Sequence, residues 1–265
     1  MCLIFFAVDQ HPRYRLLVAA NRDEFYQRPT RPMDFWAEDA NLLAGRDLQA
    51  EGTWLGVSRH GRFAFVTNYR DPANIRADAP SRGKLVSDFL QSRQSPEDYI
   101  HAVASRGAAY NGYNLVVGAG VDVYYHSNYA GDVQRLERGL YGLSNALLET
   151  PWPKLLRGKQ TMQQLFSAAT ISPNAIFEAL YDGTRAPDSQ LPNTGIGLER
   201  ERALSSMFIK TSGYGTRCST VLMMDRHDHV EITERTYNLT DFSYHDQVFQ
   251  FEIQSAPARG EKEKV

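Results

Sequence analysis

The sequence predicts an α+β domain made of two antiparallel sheets with helices packed outside. Two observations carry this. Apolar stretches of strand length come in pairs joined by short turns, and the helical stretches are few and grouped between runs of strands. At 265 residues with 42% apolar content, the chain is long enough to bury a substantial core. It contains no internal repeat, low-complexity tract or linker. One domain is therefore expected over residues 1–254, with a polar tail over 255–265.

The first pair of strands is Cys2 to Val8 and Leu16 to Glu24, separated by His11-Pro12-Arg13-Tyr14. Both runs are continuously apolar rather than alternating, which predicts central strands covered on both faces. Phe25 to Glu51 reads as a long irregular stretch, because Arg28-Pro29-Thr30-Arg31-Pro32 cannot pair as a central strand. Thr53 to Ser58 and Phe63 to Tyr69 form a second hairpin around a His60-Gly61 tip.

Arg70 to Ser81 is loop, broken at Asp71-Pro72 and Ala79-Pro80. Leu85, Val86, Phe89 and Leu90 have helical spacing. Ser95-Pro96-Glu97-Asp98 is an N-cap with proline at the first helical position. Strands are expected at Tyr113 to Gly118, Val121 to His126, Val133 to Leu136 and Leu140 to Ser144. Helices follow over Trp152 to Ala169 and from Ser172-Pro173 to Tyr181, then a loop to Leu198. The end returns to strands at Ser206 to Lys210, Cys218 to Met224, Val230 to Arg235 and Gln247 to Glu252.

The chemistry concentrates at the open end of the first hairpin. A tight turn at Pro12-Arg13 sets Asp23 opposite Cys2, and a three-residue turn sets Arg22 there. Directly opposed side chains share a face about 5 Å apart, and a slip of one residue exchanges the partner. In either register a thiol, a cation and a carboxylate gather at one strand end. Removal of Met1 leaves Cys2 with both a thiol and a free α-amine. That amine has a reference pKa of about 7.7–8.0, suited to a base near neutrality. A nearby arginine favours thiolate. The ordinary alternative is a small buried residue at a strand start.

Elsewhere, Asn145 follows a strand and precedes a proline-entered helix, where its amide can face a developing oxyanion or simply satisfy a turn. Arg217 opens a late strand as an anion-binding or structural cation. His11 and His60 fall in turns and are expected to be solvated.

Composition excludes several classes. A net charge of −2 offers no broad attraction to nucleic acid or anionic membrane. Two cysteines, Cys2 and Cys218, make neither a disulfide framework nor a Cys-x-x-Cys motif, and the histidines lack zinc spacing, so no metal site is expected. A reducing, cytoplasmic location is expected, with no transmembrane segment and no required cofactor.

At Asn21-Arg22-Asp23-Glu24 the chain resembles the NRDE family, also called the transport-and-Golgi-organisation-2 family. The likeness extends through Met1-Cys2-Leu3-Ile4, Leu43-Ala44-Gly45-Arg46-Asp47, Gly52-Thr53-Trp54-Leu55-Gly56, Thr67-Asn68-Tyr69-Arg70, Tyr141 to Ala146, Thr150-Pro151-Trp152-Pro153-Lys154 and Tyr214 to Val221. Glu51 stands where a second glycine is expected, and Cys218 where serine is commoner.

The resemblance implies an N-terminal-nucleophile hydrolase fold, a four-layer αββα sandwich. It also implies cleavage of amide bonds. Cys2 would be nucleophile and, through its α-amine, base. Arg22 and Asp23 would tune and orient it, and Asn145 would serve the oxyanion. Asn21, Glu24, Trp54, Asn68 and Arg217 would bind a small-molecule substrate. Because Arg22 and Asp23 are adjacent, only one is expected on the nucleophile's face. The same resemblance implies a rival, a non-catalytic protein handling an apolar ligand such as haem or acyl-CoA.

Overall fold

The structure, a computed structural model, describes residues 2–255. The tail from 256 and the expected removal of Met1 lie outside the described residues.

Two seven-stranded antiparallel sheets form the body. The first contains β1 (Cys2–Val8), β2 (Tyr14–Phe25), β10 (Gly139–Leu143), β11 (Lys210–Thr211), β12 (Tyr214–Asp225), β13 (His229–Tyr237) and β14 (Tyr244–Glu252). Its order is β10-β1-β2-β12-β13-β14, with β11 pairing β12. The second is a meander of β3 (Thr30–Trp36), β4 (Asp39–Asp47), β5 (Leu55–Ser58), β6 (Arg62–Asn68), β7 (Tyr113–Ala119), β8 (Asp122–Ser127) and β9 (Gln134–Leu136). The helices are α1 (Arg82–Gln91), α2 (Pro96–Ala104), α3 (Pro153–Phe166), α4 (Pro173–Leu180) and α5 (Leu198–Ala203).

Strand alternation sorts the side chains into layers. Cys2, Ile4, Phe6 and Val8 of β1 join a core between the sheets, opposite Leu55, Val57, Phe63 and Phe65. Leu3, Phe5 and Ala7 point the other way, into α3 and α4. The outer face of the second sheet packs on Leu85, Phe89, Ile100 and Val103 of α1 and α2. The result is an αββα sandwich, and β1 and β2 are central strands, buried on both faces as their unbroken apolar runs require.

Three local expectations are corrected. Phe25 to Glu51 is not irregular but contains the hairpin β3–β4. Its proline is tolerated because β3 is an edge strand and the ladder slips between Arg31 and Asp34, around Pro32. Ser206 to Lys210 is mostly not strand. The Phe208 N–H donates to the Asp182 carbonyl, the Ile209 N–H donates to Thr216 Oγ1, and the Met207 carbonyl accepts from Asn21, so these backbone groups are satisfied outside any ladder.

His11 is buried rather than solvated. Its Nδ1 accepts from the Arg13 and Tyr14 N–H groups, so Nε2 carries the proton donated to the Ala168 carbonyl. This imidazole closes the β1–β2 turn.

Glu51 has φ of 55°, in the left-handed region that glycine adopts without strain. Replacing Glu51 with glycine is expected to leave stability unchanged or raise it by up to about 1 kcal/mol. A urea midpoint lowered by Glu51→Gly would contradict this reading of the turn.

Candidate active site

The hairpin register sets Arg22, not Asp23, directly opposite Cys2. On its other side Arg22 is opposite Cys218 of β12. The β2–β12 ladder shifts between Thr216 and Cys218, which leaves Arg217 in a bulge and pairs Asp23 with Thr216. Cys2 and Arg22 therefore share the face between the sheets. Asp23 turns its carboxylate to the opposite face, where Thr216 Oγ1 donates to Oδ1 at 2.7 Å. The two adjacent residues thus serve different parts of Cys2: the guanidinium lies on the thiol's side, and the carboxylate lies across the backbone.

Cys2 opens onto a cavity of about 360 Å³. Four arginines (Arg22, Arg28, Arg76 and Arg82) and three acids (Asp23, Glu24 and Asp47) line it, with Trp54 and Asn68. Burial raises the Cys2 thiol above its ordinary range, and the Asp23 charge raises it further. The Arg22 charge and the Asp23 N–H pull it down. Cys218 is also buried and is pushed up further, by burial and by the neighbouring Glu234.

The other sequence-predicted residues divide. Glu24, Trp54 and Asn68 are on the cavity wall. Asn145 is not. Its Nδ2 donates to the Asn68 carbonyl at 3.0 Å, and its own carbonyl accepts the Arg70 N–H at 2.7 Å, so it braces the backbone behind Asn68. Asn21 is fully buried under α4, where Nδ2 donates to the Leu180 and Met207 carbonyls and Oδ1 accepts from Ser219. Arg217 clamps the β2–β3 turn through the Phe25 and Arg28 carbonyls and borders a separate cavity of about 60 Å³. Among the described residues there is no cluster of histidine, cysteine and acids able to hold a metal.

The sequence profile described as Transport and Golgi organisation 2 matches residues 1–239. The chain belongs to this family. It is 37% identical to the Transport and Golgi organization 2 homolog of Mus musculus over 277 residues, covering 96% of this chain and 100% of that one. It is 28% identical to the Transport and Golgi organization protein 2 of Drosophila melanogaster, covering 89% and 92% respectively. Among solved structures it is similar to the Caenorhabditis elegans N-acylethanolamine-hydrolyzing acid amidase (NAAA) ortholog. That match has a TM-score of 0.49 and 10% identity and covers 83% of this chain and 92% of that one.

The glycine-containing motifs of this Transport and Golgi organisation 2 family chain gain a packing explanation. A Cβ on Gly45 would lie 2.2 Å from the Trp54 ring, so only glycine lets the indole stand against β4. Arg22 then stacks on that indole at 3.9 Å and donates to Thr30 Oγ1 at 3.2 Å, so its guanidinium is fixed on the thiol's face of the sheet. A Cβ on Gly52 would lie 2.4 Å from the Gly83 backbone, so glycine there lets the start of α1 close against the cavity wall.

Sequence reasoning gave no role to Lys154 at the start of α3. It is 2% exposed, and its Nζ has no hydrogen-bond partner among the described residues. Its charge interacts with Asp23, Arg70, Cys2 and Glu201. The only sequence signal was its place in the Thr150 to Lys154 motif. Burial pushes Lys154 down to about 8, opposed by the Asp23 carboxylate. Burial also raises the Asp23 carboxyl, opposed by Lys154 and by the Thr216 hydroxyl.

A lysine whose pKa falls on folding is destabilising while it stays charged. The penalty is complete below about pH 8 and fades as pH rises toward the unfolded value of about 10.4. Relative to Lys154→Met, the wild type is expected to gain roughly 2 to 3 kcal/mol between neutral pH and about pH 10. Urea unfolding of both proteins at the two pH values measures this. A constant difference would show that Lys154 does not titrate in that window.

Proposed function

We propose that this chain is a hydrolase of amide C–N bonds in a small polar substrate, using Cys2 as an N-terminal nucleophile. One observation carries the reading: the Cys2 thiol, at the open end of a central strand, faces a polar cavity with Arg22 directly across from it. With Met1 removed, the Cys2 α-amine takes the thiol proton as Sγ attacks the substrate carbonyl carbon. The C–N bond breaks, the proton passes to the leaving amine, and a thioester remains on Cys2. Water then attacks the thioester with the amine as base, which releases a carboxylic acid and restores the thiol.

Two asparagines line the cavity; the Asn111 amide is engaged by the Arg76 backbone, so Asn68 is the candidate donor to the oxyanion, with Asn145 bracing its backbone. Asp23 orients the amine. Arg22 stabilises the thiolate as it forms.

The charged wall fits a polar ligand better than a haem ring or an acyl chain. The test is intact-mass analysis followed by timed iodoacetamide labelling of the native protein. Loss of Met1 and faster labelling at Cys2 than at Cys218 are expected. A retained Met1, or equal labelling of the two thiols, would overturn the reading.

A further inference from the structure

The cavity's cations are unequally paired. Arg28 is engaged by Asp47 at 2.7 Å and by Glu24 at 3.9 Å, so it answers two of the three acids. Asp23 faces Lys154 and Thr216 on the far side of the sheet. Arg76 and Arg82 make no ion pair among the described residues.

Both guanidiniums are nevertheless fixed in place. Arg82 Nη1 donates to the Gly112 carbonyl at 2.9 Å. Arg76 Nη2 donates to the Ala108 and Ala109 carbonyls, and the Arg76 backbone is held by a reciprocal pair of hydrogen bonds with Asn111 at 2.8 Å. A guanidinium has five N–H donors, and these anchors use only a few of them. Ser81, which precedes α1, makes no side-chain cap on that helix, and Ser81, Arg82 and Gly83 all line the cavity. The positive end of the α1 dipole therefore adds to the two arginines. Two anchored cations that make no ion pair among the described residues, on the wall of one cavity, suit an anion, and Glu24 reaches Arg82 only as a longer-range charge.

We infer that the molecule entering this cavity carries a carboxylate or phosphate, gripped by Arg82 and Arg76 while its amide meets Cys2. The placement of an amide at Cys2 rests on the hydrolase reading, but the anion grip itself is independent of turnover. Arg76 and Arg82 are positioning residues for the ligand.

The test uses the full-length Cys2→Ala protein, titrated by calorimetry with glutarate, with inorganic phosphate and with neutral glutaramide. Saturable binding of glutarate or of phosphate, at least about tenfold tighter than glutaramide, is expected. The tighter of the two anions names the group. Arg82→Gln and Arg76→Gln, each made in this background and checked for an unchanged urea midpoint, are expected to weaken that binding about tenfold or more. That factor corresponds to about 1.4 kcal/mol. Arg82→Lys should recover part of it. Equal binding of glutaramide, no binding of either anion, or anion binding indifferent to both arginines would overturn the proposal. Anion binding by the Cys2→Ala protein, beside a wild-type protein that hydrolyses none of a set of small amides, would leave the grip standing and remove the hydrolase reading.

Discussion

Replacing Cys2 with alanine is expected to lower amide hydrolysis by a factor of about a thousand or more, leaving at most the residual catalysis of a preorganised site. Alanine is the informative choice. It is small enough to permit the removal of Met1 that the proposal requires, so the α-amine is kept and only the sulfur is lost. The change is also gentle on the fold, because Cys2 lies at the end of β1 and borders a cavity rather than filling a tightly packed hole. The measurement is turnover of a set of small anionic and neutral amides by both proteins, beside their urea midpoints. A folded Cys2→Ala protein with near-normal turnover would refute the nucleophile. A matched Cys218→Ala protein is expected to keep its turnover, since that thiol lies off the main cavity and is buried near Glu234.

Glu201→Ala is expected to lower unfolding free energy by about 3–5 kcal/mol, the largest stability effect foreseen for a single charged residue here. Glu201 and Arg70 are 4% and 5% exposed and pair at 2.8 Å. The other Glu201 oxygen accepts from the Thr194 backbone N–H and hydroxyl. Removing the carboxylate leaves the Arg70 guanidinium buried over the Trp152 ring, where Nε and Nη2 already have no partner among the described residues. Glu201→Gln keeps the Thr194 contacts and should lose less. Because the Arg70 N–H also holds the Asn145 carbonyl, the alanine variant should loosen the Asn68 wall as well as the fold. Urea unfolding of the three proteins decides the matter. A loss below about 1 kcal/mol for Glu201→Ala would mean that the pair is solvated and contributes little.

Much of the architecture was legible because it depends on local pattern. The unbroken apolar runs of β1 and β2 demanded cover on both faces, and both strands are central. Ser95-Pro96 and Ser172-Pro173 marked helix starts, and Ser95 and Ser172 cap α2 and α4. The hairpin β3–β4 was hidden because proline rules out a central strand but not an edge strand, and edge position depends on strand order. The β1–β2 register stayed open for a similar reason. Two turn lengths fit His11 to Tyr14, and the observed register is one in which β2 pairs with β1 on one side and with β12, far along the chain, on the other.

The candidate site divides along the same line. Sequence by itself determined that a cysteine at the second position begins a buried central strand and that an arginine and an aspartate end its hairpin partner. These follow from hydrophobic periodicity and turn chemistry, which act over a few residues. Tertiary structure alone decided that Arg22 takes the thiol's face and Asp23 the other. It also decided that Asn68 rather than Asn145 reaches the cavity, that Lys154 is buried near Asp23 behind it, and that Arg76 and Arg82 stand on its wall. Those relations join segments remote in sequence, and they exist only once sheet register and layer packing bring charges within range that no local pattern encodes.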